Sequence, residues 1–244
     1  MTCVVVGASS GLGRAIAEEL GRLGHALLLV SSEERDLAPL ASDLAIRFGA
    51  AVRVLAADAS NPAAFADSVD GALDPGEAIT AVLFPIGAVE EEDGVLLAPE
   101  RAERLVSINF ASVVSVVGRL LPRLVARGKG TIAGFGSVAA LRGRSRNAVY
   151  AAAKRSLESY FESLRHFAEP RGVTVAFYVL GYLDTQMAWG RRLLLPKADP
   201  RAVARRVCGA LGREAGRHYI PGFWNPAGIL LRALPWPIFR RLEF

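Results

Sequence analysis

Residues 2–13 read Thr-Cys-Val-Val-Val-Gly-Ala-Ser-Ser-Gly-Leu-Gly. A short apolar run is stopped by Gly7. A helical pattern follows Gly11, in which Ile16, Leu20 and Leu23 are spaced by four and three. A run this short, bounded by glycine, reads as a strand buried on both faces. Glycines at 7, 11 and 13 permit tight backbone turns between strand and helix, and the helix aims its free amides and positive dipole end at the loop. The arrangement is a cradle for an anion, and in a first strand–loop–helix unit it predicts the pyrophosphate of a dinucleotide.

The alternation continues outward from this unit. Residues 26–30, 51–56, 79–84, 130–135, 173–179 and 217–220 are further short apolar runs. Residues 12–23, 36–48, 62–69, 100–126, 149–168 and 200–211 have helical spacing. Strand–helix alternation predicts parallel strands with right-handed crossovers. The expected fold class is α/β: a single-domain Rossmann fold, a doubly wound seven-stranded parallel sheet with helices on both faces. The domain is expected over residues 1–222, with a substrate region at 182–222 and an apolar, basic tail at 223–244.

Composition agrees with a packed domain. Of 244 residues, 52% are hydrophobic and 22% charged, which excludes disorder, collagen and a disulfide scaffold. Cys3 and Cys208 give no metal-ligand spacing, so no metal is expected and a reducing cytoplasm is. No signal peptide precedes the glycine loop, and no apolar run of ~18 residues suggests a membrane span. Charge is uneven. Residues 191–244 hold eleven basic and three acidic residues, net +8, which leaves −3 for residues 1–190. This basic segment reads either as solvated helix faces or as a surface for an anionic substrate or membrane. The arginines join no nucleic-acid reading motif, so no nucleic acid partner is expected.

The spacing Gly7-x-x-x-Gly11-x-Gly13 resembles that of the classical short-chain dehydrogenase/reductase family, and the resemblance extends to about residue 185. Asp58, in Ala-Ala-Asp-Ala-Ser, matches the acid that contacts adenine in that family. Asn109, Ser137, Tyr150 and Lys154 match its catalytic tetrad, with Tyr-Ala-Ala-Ala-Lys at 150–154 and Ser137 thirteen positions before Tyr150. Thr185 matches the threonine that meets the nicotinamide. The resemblance implies cofactor binding by Gly7, Ser9, Ser10, Gly11, Leu12, Gly13, Ser31, Ser32, Asp58, Ala59, Gly87, Tyr150, Lys154 and Thr185. It implies an NAD(P)-dependent oxidoreductase acting on a ketone or secondary alcohol. Departures are Pro85-Ile86-Gly87, where the family has Asn-Ala-Gly, and Leu180-Gly181, where it has Pro-Gly.

The residue types suit this chemistry. Tyr150 and Lys154 stand at i and i+4 and share a helix face. A tyrosine titrating near ~10 is a poor acid/base group at neutral pH, and a nearby ammonium lowers that value. Ser137 can hydrogen-bond the substrate oxygen and the phenol together. Asn109 can hold a water leading from Lys154 to solvent, as the family relay does. At the end of the second strand stand Ser31 and Ser32, with no acid for a ribose 2′-hydroxyl; this favours NADP, with NAD the alternative.

Val138, Ala139, Leu141, Tyr182, Met187 and Trp189 are expected to line an apolar substrate pocket. The tail run Leu-Pro-Trp-Pro-Ile-Phe-Arg-Arg-Leu is similar to that of reductases acting on polyprenyl-phosphate-linked keto-sugars, which implies a hydrophobic or lipid-linked substrate. Peripheral contact at the cytoplasmic face of a membrane would follow. Glu90-Glu91-Glu92-Asp93 reads as a solvated loop. Residues 100–126 and 149–168, the latter with Leu157, Phe161, Leu164 and Phe167, read as helices apolar over a wide arc, which predicts a homodimer or homotetramer. The alternative to an enzyme is a non-catalytic NAD(P)-binding regulatory or membrane-surface protein of the same fold.

Overall fold

The structure is a computed structural model and describes residues 1–185 and 197–241. Seven strands form one parallel sheet: β1 (Thr2–Val6), β2 (Ala26–Ser31), β3 (Val52–Ala56), β4 (Ile79–Phe84), β5 (Gly130–Ser137), β6 (Val173–Leu180) and β7 (Gly216–Ile220). Their order is β3-β2-β1-β4-β5-β6-β7, and every pairing is parallel. The order reverses between β1 and β4, where open α/β sheets hold their ligands.

Alternate residues of the strands feed two cores. Val4, Val6, Leu28 and Val30 pack with α3 (Pro62–Gly71), α5 (Ser112–Arg127) and α6 (Ala148–Ala168). Cys3, Val5, Leu27 and Leu29 pack on the other face with α1 (Gly11–Arg22), α2 (Glu34–Phe48) and α7 (Pro200–Ala210). Burial on both faces is why the strands are continuously apolar rather than alternating.

Three expectations change. Residues 100–126 do not form one regular helix. They divide into α4 (Pro99–Val106), a single π turn (Ser107–Ala111) and α5. By length and composition, Pro99–Arg127 would reach across a bilayer, although no run of that kind was expected. Its Leu105, Val113, Val116, Val117, Leu120 and Leu124 are buried, as in a core helix. On α6, Leu157, Phe161 and Leu164 all enter one core. Phe167 is exposed, with the Arg171 guanidinium over its ring. That helix therefore has one apolar face, because the opposite positions are Ala152, Ser156, Ser159 and Ser163, all exposed.

The segment expected as a tail is helical. It forms α8 (Trp224–Ala233) and α9 (Trp236–Phe239). Arg142 donates to the carbonyls of Leu231 and Leu234 and lies 3.9 Å from the Phe239 ring. Arg232 reaches back to the Leu141 carbonyl, and Gly228 lets α8 close on the Leu141 side chain. Ile229, Leu230, Trp236 and Ile238 remain exposed.

Candidate active site

The carboxyl ends of β1, β2, β4, β5 and β6 open into one cleft of about 1030 Å³. At one end, Gly7 has a φ of +94° and packs against the Ile86 backbone, where a Cβ would lie 2.6 Å from Ile86 Cα. The loop is tied to β2 by Gly7 and Ala8 N–H donors to the Val30 carbonyl. Ser10 stands at the N-cap of α1 and makes no side-chain cap bond. Leu12, Ile16 and Leu20 bury the other face of the helix and fix its direction.

Most of the residues expected around a dinucleotide line this cleft: Gly7, Ser9, Ser10, Gly11, Leu12, Ser31, Ser32, Asp58, Ala59, Gly87 and Thr185. Gly13 does not. It lies beneath the loop, where any side chain would run into the Gly7 carbonyl. Thr185 comes from beyond β6 to stand over the loop: a Cβ on Gly11 would be 3.2 Å from its Cγ2. The Asp58 carboxylate accepts from the amide and hydroxyl of Ser60, which hold its pKa below the usual range.

At the other end stand Ser137, Tyr150 and Lys154. Glycines in β5 bring α6 close enough for this. A Cβ on Gly134 would lie 2.5 Å from the Phe161 ring of α6, so only glycine admits that ring. The Ser137 hydroxyl, which accepts from the Ala139 amide, stands near enough to the Tyr150 phenol to lower its pKa. Lys154, 4% exposed, donates to the Ile86 carbonyl at 3.0 Å. This bond ties α6 to the Pro85-Ile86-Gly87 stretch that departs from the expected Asn-Ala-Gly pattern. A Cβ on Gly87 would lie 3.4 Å from Lys154 Nζ and 3.2 Å from Asn109 Oδ1.

The electrostatics correct one expectation. Burial raises the Tyr150 pKa, and the neighbouring Ser137 hydroxyl opposes the rise. Lys154 does not bring it down here. Its own ammonium is pushed down to about 8 by burial and lies 5.9 Å from the phenol ring centroid. Desolvation disfavours the charged form of both groups.

Asn109 is fully buried and does not line the cleft. The π turn aims its side chain at Ala88, whose N–H donates to Oδ1 and whose carbonyl accepts from Nδ2; Nδ2 also donates to the Leu105 carbonyl. Val138 and Leu141 are also off the cleft wall. The turn after β5 sends both into the core under α8. Ala139 and Tyr182 do line it, and Tyr182 meets the Trp224 ring edge to face at 6.0 Å. Met187 and Trp189 lie outside the described residues.

The acidic run is the clearest miss of sequence reasoning. Glu90 and Glu92 pair with Arg101, but Asp93 is buried and accepts the Val149 and Tyr150 amides. Nothing in its local sequence separates it from its three acidic neighbours.

Known proteins share this architecture and sequence. Among curated proteins, the very-long-chain 3-oxoacyl-CoA reductase of Aspergillus fumigatus is 28% identical over 90% of this chain, which spans 64% of that protein's length. The hydroxysteroid 11-beta-dehydrogenase 1-like protein of Macaca fascicularis is 31% identical over 96% of this chain and 83% of its own. A short-chain dehydrogenase from Sphingobium yanoikuyae, solved in complex with NADPH, superposes with a TM-score of 0.83 over 96% of both chains at 25% identity. The sequence pattern described as short chain dehydrogenase matches residues 1–193. That match takes in the glycine loop, Ser137, Tyr150, Lys154 and Thr185 together, and the chain belongs to the short-chain dehydrogenase family.

Proposed function

We propose that the protein is an NADP-dependent oxidoreductase that interconverts a bulky, hydrophobic ketone and its secondary alcohol. The observation that carries this reading is that Ser137, Tyr150 and buried Lys154 together line one end of the cleft that also holds the glycine loop. The cleft fits a dinucleotide: the close approaches at Gly7, Gly11 and Gly87 leave backbone exposed where side chains would intrude. Gly7, Ser9, Ser10, Gly11 and Leu12 would hold the pyrophosphate, Asp58 and Ala59 the adenine side, and Lys154 and Thr185 the nicotinamide side. Gly13 and Asn109 would act from behind, by letting the loop close and by holding Ala88. Bound there, the nicotinamide supplies or accepts the hydride.

The chain's own groups handle the proton. Ser137 and Tyr150 donate to the carbonyl oxygen as negative charge grows on it, and Tyr150 gives up its proton. Burial keeps the phenol protonated at neutral pH, the state a donor needs, while making it a weaker acid. Lys154, near 8, still carries its charge at neutral pH, where it would hold the ribose on the nicotinamide side.

Ser31 and Ser32 on the cleft wall, neither of them an acid, support NADP over NAD, as does the NADPH of the Sphingobium relative. Ala139, Tyr182 and the Trp224 that braces it support a hydrophobic substrate. So does the very-long-chain acyl substrate named for the Aspergillus relative. The exposed Ile229, Leu230, Trp236 and Ile238, with Arg240 and Arg241 exposed beside them, support delivery of such a substrate from a cytoplasmic membrane face.

The test is nucleotide affinity by fluorescence for NADPH and NADH, then turnover against a panel of bulky ketones, for wild type and Tyr150→Phe. NADPH binds more tightly, and the variant binds it as well as wild type but loses about 10²–10⁴-fold in turnover. A variant that keeps more than about a tenth of wild-type turnover overturns Tyr150 as the acid. A wild type that binds nucleotide but turns over no ketone or alcohol leaves the regulatory reading in its place.

A further inference from the structure

α6 starts without a cap of its own. Asn147, at its N-cap position, has a φ of +54°, and its side chain makes no cap bond. A residue in the left-handed region does not have the extended backbone that directs a side chain onto the following amides. Those amides are instead met by Asp93, more than fifty residues earlier in the chain. Its Oδ1 accepts from Val149 N–H and its Oδ2 from Tyr150 N–H, each at 2.9 Å, and its own carbonyl accepts from Asn147 N–H at 2.7 Å. Asp93 is 5% exposed. One residue thus supplies three acceptors to the start of the helix, one of them directly on the catalytic tyrosine's own backbone. A carboxylate at a helix N-terminus also meets the positive end of the dipole.

The segment carrying Asp93 is held from both sides. Glu90 and Glu92 reach Arg101 on α4 at 2.6 and 2.8 Å. Gly94 bridges Arg146 as a short antiparallel pair. At its other end, Ala88 is bonded in both directions by buried Asn109, and the preceding Gly87 lines the cofactor end of the cleft. The chain from Gly87 to Asp93 therefore runs from the glycine-loop side of the cleft to the backbone of Tyr150, with fixed points along it.

We infer that Asp93 is a positioning residue: by capping α6 from another part of the chain it sets where Tyr150 stands relative to Ser137. The inference rests on Tyr150 as the proton donor. A loss of register of about 1 Å in such a group costs up to roughly a hundredfold in rate. The bonds that Asp93 accepts come from the start of α6, not from the glycine loop.

The test uses the full chain with NADPH and a ketone the wild type accepts. Asp93→Asn keeps the volume but turns one acceptor into a donor facing an N–H, and Asp93→Ala removes both acceptors. Four readouts are taken: kcat, KM for the ketone, NADPH affinity by fluorescence, and hydrogen exchange at the Val149 and Tyr150 amides. The expected result for either folded variant is a kcat lower by about tenfold or more, NADPH affinity within about threefold of wild type, and faster exchange at those two amides. Asp93 is not a positioning residue if Asp93→Asn keeps kcat within about twofold. The role is lost equally if kcat falls only in step with NADPH affinity or with the folded fraction. Tyr150→Phe run alongside separates the two claims. If it is inactive while Asp93→Asn is normal, only the role of Asp93 falls; if Tyr150→Phe is active, the donor assignment itself falls.

Discussion

The two ends of the cleft are held by different physics. At the glycine-loop end, backbone meets backbone: Gly7 against Ile86, Gly13 beneath the Gly7 carbonyl, Gly87 beside Lys154 and Asn109. No flexible side chain separates the parts at Gly7 and Gly13, so nothing can give. At the substrate end the wall is rings and long side chains. Tyr182 leans on Trp224, and α8 and α9 are fastened by Arg142 and Arg232 to carbonyls across a seam. A close-packed backbone contact transmits a misfit of one methyl group, whereas a seam of arginine and aromatic side chains can repack. The first end therefore sets one geometry, and the second can adapt its shape.

The sharpest way to break this contrast is Gly13→Ala. Its Cβ would collide with the Gly7 carbonyl, so the helix and the loop must part. Folding stability should fall by about 3 kcal/mol and NADPH affinity with it. Urea unfolding and a fluorescence titration read both. A variant with native stability and affinity would mean that the loop end is as soft as the seam.

Lys154→Met probes the polar bridge between the two ends. Burial holds Lys154 at about 8, against 10.5 for an unperturbed lysine. Below pH 8 the ammonium is charged in both folded and unfolded chains, and the folded chain bears the whole desolvation cost. From about pH 8 to 10.5 the folded lysine gives up its proton while the unfolded one keeps it. That cost disappears across this window, so the group's contribution to stability rises with pH. Removing the ammonium should stabilise the nucleotide-free protein at pH 7 by roughly 1–2 kcal/mol after the lost bond to Ile86 is allowed for. It should flatten the rise above pH 8, while turnover collapses. Urea unfolding from pH 7 to 10.5, compared with wild type, checks both parts; a destabilised variant at pH 7 would count against a buried, strained charge.

The smallest effect is expected at the seam. Arg142→Ala removes two bonds to carbonyls and a ring contact, about 1–2 kcal/mol held locally. Faster hydrogen exchange and proteolysis across residues 224–239 should follow, with NADPH affinity unchanged within about twofold. If global stability fell instead, the terminal helices would be part of the main core.

The same contrast decides what could be read from the sequence. The glycine loop was legible because its chemistry is local: strand, glycines and helix are consecutive, and Tyr150 and Lys154 lie one helical turn apart. Asp93 was illegible because its partners are the backbone amides of Val149 and Tyr150, which carry no sequence signature of their own. Val138 and Leu141 were assigned to the wrong surface because a three-residue turn after Ser137 decides which side faces the cleft, and composition does not carry that phase. Residues 224–239 looked like a broken tail because prolines at 226, 235 and 237 obscured helical spacing; Pro235 and Pro237 in fact lie at the start of α9, where a missing N–H costs little.

The π turn at Ser107–Ala111 makes the helical stretch from Pro99 to Arg127 a two-part gear rather than a rod. Each residue advances an α-helix by about 100°, so the extra residue in the turn rotates everything before it relative to everything after. α4 is thereby free to engage α6 while α5 lies on α3. A single-residue deletion between 107 and 111 would leave composition and helix propensity almost unchanged. It would swing α4 by about a quarter turn, carry Arg101 away from Glu90 and Glu92, and withdraw Asn109 from Ala88. The loop leading to Tyr150 would then lose its fixed points without Ser137, Tyr150 or Lys154 having been altered.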